Sequence, residues 1–286
     1  MLTGQASLYY RDIGQGSPII VVHGGPDFDH SYLLPELDHL ADSFRLIYYD
    51  QRGRGRSAVG VEAENVTIRS EMEDLERLRR QFQLEAFAVL GHSWGGVLAM
   101  EYAIRYPDRV SHLILMTTAP ASHDDSVLLR EHFRRIRPAA DVERMQTLSS
   151  NDLFKQGDFD VEAGYYWIHF GLTLPQPELL ERVVGRLRTH FTKESVLTAR
   201  AIEHRLYEET WLSAEYDLLP KLRKLRIPTL VIHGDEDFIP IEVAAHIARA
   251  VPGARLSVLI GCGHFAYLQQ PDQIKEQITA TLARVN

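Results

Sequence analysis

Ser93 lies in Gly91-His92-Ser93-Trp94-Gly95, between an apolar run from Ala86 to Leu90 and a helix-like run that begins at Val97. A serine on a sharp turn between a buried strand and a helix keeps its hydroxyl exposed and has helix N-terminal N–H groups beside it. Gly91 and Gly95 flank the serine where a Cβ would collide with neighbouring backbone, and Gly96 eases helix–strand packing. The chemistry on offer is nucleophilic attack on an acyl carbon. A serine hydroxyl is a weak nucleophile until a base takes its proton, and the base needs a third group to orient it. His264, bracketed by Gly261-Cys262-Gly263-His264-Phe265, is the candidate base. Asp235 and Asp237, in His233-Gly234-Asp235-Glu236-Asp237, compete for the orienting role.

Acyl transfer also needs donors for the oxyanion that forms, and losing one typically costs about 2.7–4 kcal/mol of barrier. His23-Gly24-Gly25-Pro26 follows an apolar strand and lets the Gly25 N–H approach a substrate; the Trp94 N–H, just after the serine, is the second candidate. His23 and His92 read as supports of these turns rather than as bases. Cys262 reads as a small packing residue beside His264.

These groups are far apart in sequence, so the fold must gather them. Apolar runs predict strands over Ser7 to Asp12, Pro18 to His23, Phe44 to Tyr49, Phe87 to Leu90, Val110 to Met116, Thr229 to His233 and Arg255 to Leu259. Helical patterns cover Ile68 to Phe82, Glu242 to Ala250 and Pro271 to Arg284. Runs such as Ile19-Ile20-Val21-Val22 suit strands of a mostly parallel sheet with helices on both faces. In such a sheet, sites gather beyond the carboxyl ends of the strands, which is where Ser93, Asp237 and His264 fall. Between Ala119 and Tyr216 the alternation stops and helical periodicity takes over. The expected organisation is α/β: a first core part over residues 1–118, an inserted helical cap over 119–216, and a second core part over 217–286.

The chain has 286 residues, 45% hydrophobic and 24% charged, which is ordinary for a globular protein. A formal net charge of −8 argues against nucleic acid or an anionic membrane as partner. Arg52, Arg54 and Arg56 are close together but separated by glycines, and read as a solvated loop. One cysteine requires no oxidising compartment. Met1 to Ile13 holds no apolar h-region and no run reaches the length of a membrane span, so a cytoplasmic location is expected. No metal-ligand spacing or dinucleotide fingerprint stands out, and serine acyl chemistry calls for no cofactor.

The order Ser, Asp, His is that of the α/β-hydrolases. The motifs His23-Gly24-Gly25-Pro26, Asp50-Gln51-Arg52-Gly53-Arg54-Gly55-Arg56-Ser57, Gly91-His92-Ser93-Trp94-Gly95-Gly96, His233-Gly234-Asp235-Glu236-Asp237 and Gly263-His264-Phe265 run through nearly the whole chain. In them the sequence resembles the α/β-hydrolase superfamily and, within it, the proline iminopeptidase-like branch of prolyl aminopeptidases. The resemblance implies the α/β-hydrolase fold. It favours Asp237 over Asp235 as the orienter, leaving Asp235 a turn residue. It also implies a substrate that is a short peptide or small molecule, from which an N-terminal proline or similar residue is released.

The branch usually continues its first motif with glycine, where this chain has Asp27; that carboxylate could bind an amine or point to solvent. The resemblance places Glu203 on the amine-binding cap segment, with Glu208, Glu209 and Glu215 as helpers. Tyr165, Tyr166, Trp167, Phe170 and Trp211 could wall a pocket for a proline ring or simply pack the cap. An esterase, lactonase or amidase with the same triad is the alternative, and a non-catalytic binder that uses the cap pocket is a third reading.

Overall fold

A computed structural model describes residues 7–283. The apolar runs form seven strands: β1 (Tyr10–Ile13), β2 (Pro18–Val22), β3 (Arg45–Tyr49), β4 (Phe87–His92), β5 (Val110–Met116), β6 (Thr229–Gly234) and β7 (Arg255–Leu259). They make one sheet in the order β1-β3-β2-β4-β5-β6-β7. β1 is antiparallel to β3 and every other pairing is parallel. The register sets Val22 beside Gly91, His92 beside Met116, Met116 beside Ile232 and Gly234 beside Leu259, so the carboxyl ends of β2, β4, β5, β6 and β7 share one edge. Strands β2, β4 and β6 are almost wholly buried, as expected for a sheet covered on both faces.

Helix α1 (Ile68–Gln81) is started by a capping box between Thr67 and Ser70. Its inner face buries Ile68, Met72, Leu75 and Leu78, but also the acids Glu71, Asp74 and Glu76. Those acids overturn the solvated-loop reading of Arg52 and Arg54. Arg54 is fully buried and pairs with Glu71 at 2.7 Å, and Arg52 pairs with Asp74 at 2.6 Å. Arg56 lies over the Tyr9 ring, 3.5 Å from its centroid. Gly53 and Gly55, both at positive φ, turn the loop so that Arg52 and Arg54 run inward beneath α1, while Arg56 stays exposed beside Asp50.

Helix α2 (Trp94–Arg105) begins at Trp94, three residues ahead of the apolar run that predicts it. Ser93 is its N-cap, so strand passes to helix with no intervening loop. Between β5 and β6 lies a helical insert: α3 (His123–Ile136), α4 (Ala139–Ser150), α5 (Asp152–Lys155), α6 (Phe159–Phe170), α7 (Pro177–Arg188) and α8 (Lys193–Glu209). A bridge between Ser122 and Asp217 joins the two chain segments where the insert leaves and rejoins the sheet. The chain then adds α9 (Leu219–Leu222), α10 (Ile241–Ala250), α11 (Ala266–Gln269) and α12 (Pro271–Leu282). The predicted last helical residue, Arg284, lies outside the described residues. No helix among the described residues is long and apolar enough to cross a membrane.

Candidate active site

At the junction of β4 and α2, Ser93 adopts φ 53° and ψ −121°, a conformation that L side chains rarely take. The turn is enforced by close packing. A Cβ on Gly91 would strike the Gly95 backbone, one on Gly95 would strike the Val22 carbonyl, and one on Gly96 would strike Thr118. The Ser93 carbonyl accepts from the N–H groups of Gly96, at 2.9 Å, and Ala119, at 3.1 Å. A Cβ on Gly24 would stand 3.0 Å from the Cβ of Ser93, so only glycine lets the turn after β2 come this close. Gly25, at φ 118°, lines the same cavity as Ser93. Trp94 does not line it. Its indole is buried against Tyr207 and Trp211 of the insert, and what it offers toward Ser93 is the backbone N–H at the first position of α2.

The loops after β6 and β7 bring Asp237 and His264 together. The His264 Nδ1–H donates to both carboxylate oxygens of Asp237, at 3.0 and 3.1 Å. Asp237 also accepts from the Ile239 N–H at 3.0 Å, which fixes the carboxylate within its turn. Asp235 faces elsewhere, accepting from the N–H of Gly261 at 2.7 Å. Burial pushes Asp237 up to about 7 and holds His264 down to about 3, so the imidazole rests neutral. A neutral imidazole whose Nδ1 carries the proton leaves Nε2 as the acceptor a base requires. His264 lines the cavity with Ser93. Cys262 is buried, with burial pushing its thiol up to about 12.

His92 ties these loops together. The Gly24 N–H donates to the Tyr32 hydroxyl at 2.7 Å, which donates to His92 Nδ1 at 2.6 Å. The other ring nitrogen of His92 then donates to the His264 carbonyl at 3.1 Å, and Thr117 Oγ1 donates to the same carbonyl at 2.9 Å. Burial keeps His92 well below the usual imidazole range, consistent with one acceptor and one donor nitrogen. His23 plays a similar part beneath the first turn: its Nδ1–H donates to the Gly24 carbonyl and its Nε2 accepts from the Gln51 N–H. Sequence reasoning did not single out Tyr32, because nothing in its local spacing marks it.

Above Ser93 a cavity of about 870 Å³ opens between the strand ends and the insert. Phe28, Phe170, Phe238 and Phe265 supply apolar wall, with Tyr165, Tyr166 and Trp211 from the insert. Trp167, expected among them, does not line the cavity; it is half-buried and packs against the hydrophobic core. Asp27 is buried, lines the cavity and accepts from the Tyr166 hydroxyl; it does not reach solvent. Glu203 also lines the cavity. It is enclosed by protein yet keeps partial exposure through the cavity itself. Burial, then the charge of Asp27, push Glu203 up to about 8, against the opposing pull of the Tyr207 hydroxyl and Arg200. Burial also pushes Asp27 upward, against the Tyr166 hydroxyl.

The other predicted glutamates are not at the cavity. Glu209 accepts from the Ile68 N–H and so serves the start of α1; Glu208 and Glu215 are exposed. Instead the cavity gains Glu162, ion-paired with Arg200, and His169, both from the α6 face that also carries Tyr166 and Phe170. The i, i+4, i+7, i+8 spacing of those four is the signal that could have revealed them. Asp29, His30 and Asp50 offer ligand atoms within 4.8 Å of one another, outside this cavity. His30 Nδ1 sits 2.5 Å from Asp50, whose carboxylate also accepts from the Arg56 N–H.

A serine on a strand-to-helix turn at the carboxyl edge of a mostly parallel sheet, with a helical insert over it, defines the class of α/β-hydrolases. The chain belongs to the alpha/beta hydrolase fold family, whose sequence profile matches residues 17–271. It is 28% identical over 291 residues to the proline iminopeptidase of Saccharolobus solfataricus, covering 96% of this chain and 88% of that protein. Among solved structures it is similar to proline iminopeptidase from Mycobacterium smegmatis, with a TM-score of 0.71 at 22% identity over 98% of this chain and 95% of the other. It is also similar to a thermophilic esterase from Thermogutta terrifontis, with a TM-score of 0.67 at 26% identity over 99% and 95% of the two chains.

Proposed function

We propose that the protein is a serine aminopeptidase that releases an N-terminal proline or similar residue from short peptides. The observation that carries this reading is the pairing, in one cavity, of Ser93 and His264 with the two carboxyl groups of Asp27 and Glu203. Ser93 attacks the carbonyl of the first residue while His264 takes the hydroxyl proton and Asp237 holds the ring. The N–H groups of Gly25 and Trp94 receive the oxyanion. His264 returns the proton to the departing amine, and water then releases the acyl group from Ser93 by the same steps. Asp27 and Glu203 hold the free N-terminal ammonium; both carboxyl groups are pushed upward by burial, and Glu203 further by the Asp27 charge, so both gain when a cation enters between them. Similarity to proline iminopeptidases along nearly the whole chain supports the same reading.

The apolar walls of Phe28, Phe170, Phe238 and Phe265 favour a second reading, an esterase, lactonase or amidase acting on uncharged acyl groups. Prolyl and alanyl arylamides, their N-acetylated forms and short aryl esters separate the two. The aminopeptidase reading expects arylamide turnover that N-acetylation abolishes. Undiminished turnover of the blocked substrates, or cleavage of esters alone, rejects it. The mechanism expects Ser93→Ala to lose turnover and labelling by a fluorophosphonate while melting as a folded protein; full activity in that variant rejects the mechanism.

A further inference from the structure

The charges around the cavity divide into two groups. On one side Asp27 and Glu203 contact the Tyr166 and Tyr207 hydroxyls, and Glu162 is already paired with Arg200. On the other, helix α3 turns Ser126, Arg130 and Phe133 toward the cavity, with Arg137 at its C-cap. The spacing 126, 130, 133, 137 keeps these residues on one helix face.

Arg130 and Arg137 are cations without anions. Arg130 donates to Ser126 Oγ at 3.1 Å. Arg137 donates to the Met145 sulfur and, at 3.1 Å, to His169 Nδ1, and its guanidinium lies 5.1 Å from the centroid of the Phe133 ring. Among the described residues neither arginine has a carboxylate within ion-pair distance. Asp141, whose charge reaches Arg137, is paired with Arg144 at 3.3 Å. A thioether and a neutral imidazole are weak partners for a guanidinium, whose planar fork matches a carboxylate. Burial holds His169 down to about 3, so it does not compete as a cation.

The position of Arg137 fixes which end of a substrate it meets. It touches His169, whose ring lies 5.1 Å from Phe238, which in turn lies 4.2 Å from the His264 ring. His264 delivers the proton to the leaving amine, so the leaving portion of the substrate lies on this side. We propose that Arg137, with Arg130 beside it, binds the free C-terminal carboxylate of the leaving portion, making a short peptide with both termini free the preferred substrate. This assignment of the leaving portion rests on the aminopeptidase reading.

The test compares kcat/KM for Pro-Gly and Pro-Gly-Gly with their C-terminal amides. The wild-type protein is expected to prefer the free acids by about 10- to 100-fold, mainly through KM, as for a charge-assisted hydrogen bond. Arg137→Met should bring that ratio close to one, Arg137→Lys should keep part of it, and Arg130→Met should lower it partially. A wild-type ratio near one, or an unchanged ratio in folded Arg137→Met, overturns the proposal.

A second measurement needs no turnover. Calorimetric titration of the Ser93→Ala protein with N-acetylglycine and with N-acetylglycinamide reads the carboxylate alone. Tighter binding of the acid, lost when Arg137→Met is added, supports carboxylate recognition even if no peptide is cleaved, in which case only the aminopeptidase reading fails. Equal affinities, or no binding of the acid, overturn it.

Discussion

Burial and the neighbouring Asp27 carboxyl push Glu203 from an ordinary 4.5 up to about 8. Between those values the folded protein holds a proton that the unfolded chain releases, so this residue makes stability fall as pH rises from about 4.5 to about 8. Glu203→Gln removes that dependence. The variant is expected to melt close to wild type near pH 4.5 and above it at pH 8, and each kcal/mol gained corresponds to roughly 2–4 °C; a melting difference that does not change with pH would contradict the assignment. The same proton matters for binding, since an ammonium ion needs the carboxylate form. For free-amine substrates KM should fall as pH rises toward 8, and Glu203→Gln should raise KM for them far more than for esters. Glu203 was visible in the sequence only through resemblance, because a glutamate on a helix is ordinarily solvated. Asp27 stood out as a departure from the family motif, but nothing in the sequence paired it with Tyr166, 139 positions later.

The loop from Asp50 to Ser57 and helix α1 form one unit through buried ion pairs. Arg54 and Glu71 are both fully buried at 2.7 Å. Arg54→Met leaves a buried carboxyl with no cation and should destabilise the protein by about 3–5 kcal/mol in urea unfolding; Arg54→Met with Glu71→Leu should recover most of the loss. A single variant as stable as wild type would show that the pair contributes nothing. Strand and helix periodicity made most elements legible, since buried parallel strands and amphipathic helices write their contacts into local sequence. Arg52 and Arg54 misled because glycine separation resembles a flexible loop. Their acidic partners stand on a helix about 20 positions later, and local pattern carries no information about such pairing. Helix α2 began early for a related reason: the strained Ser93 turn replaces an ordinary cap, so no residue announces the start.

At the scale of the whole molecule, the cavity is bounded below by loops of the sheet and above by α3, α6 and α8. A group attached to Ser93 that fills it would contact both layers. A bulky fluorophosphonate adduct should therefore raise the melting temperature in a single transition, as a bound ligand would; a calorimetric trace that splits in two would mean that sheet and insert unfold separately. The break in alternation pointed to a helical insert, which α3 to α8 form between β5 and β6. It gave no sign of which face of α3 looks into the cavity, because polar residues on an inserted helix resemble a solvated face. The His92 ring bears on timing as well as geometry. It receives Gly24 through Tyr32 and reaches forward to the carbonyl of His264, which follows β7. A nascent chain synthesised only through Leu259 already holds the serine, the glycine turn and the whole insert, yet lacks His264. On the proposed mechanism, catalytic competence would arrive only after β7 has been made.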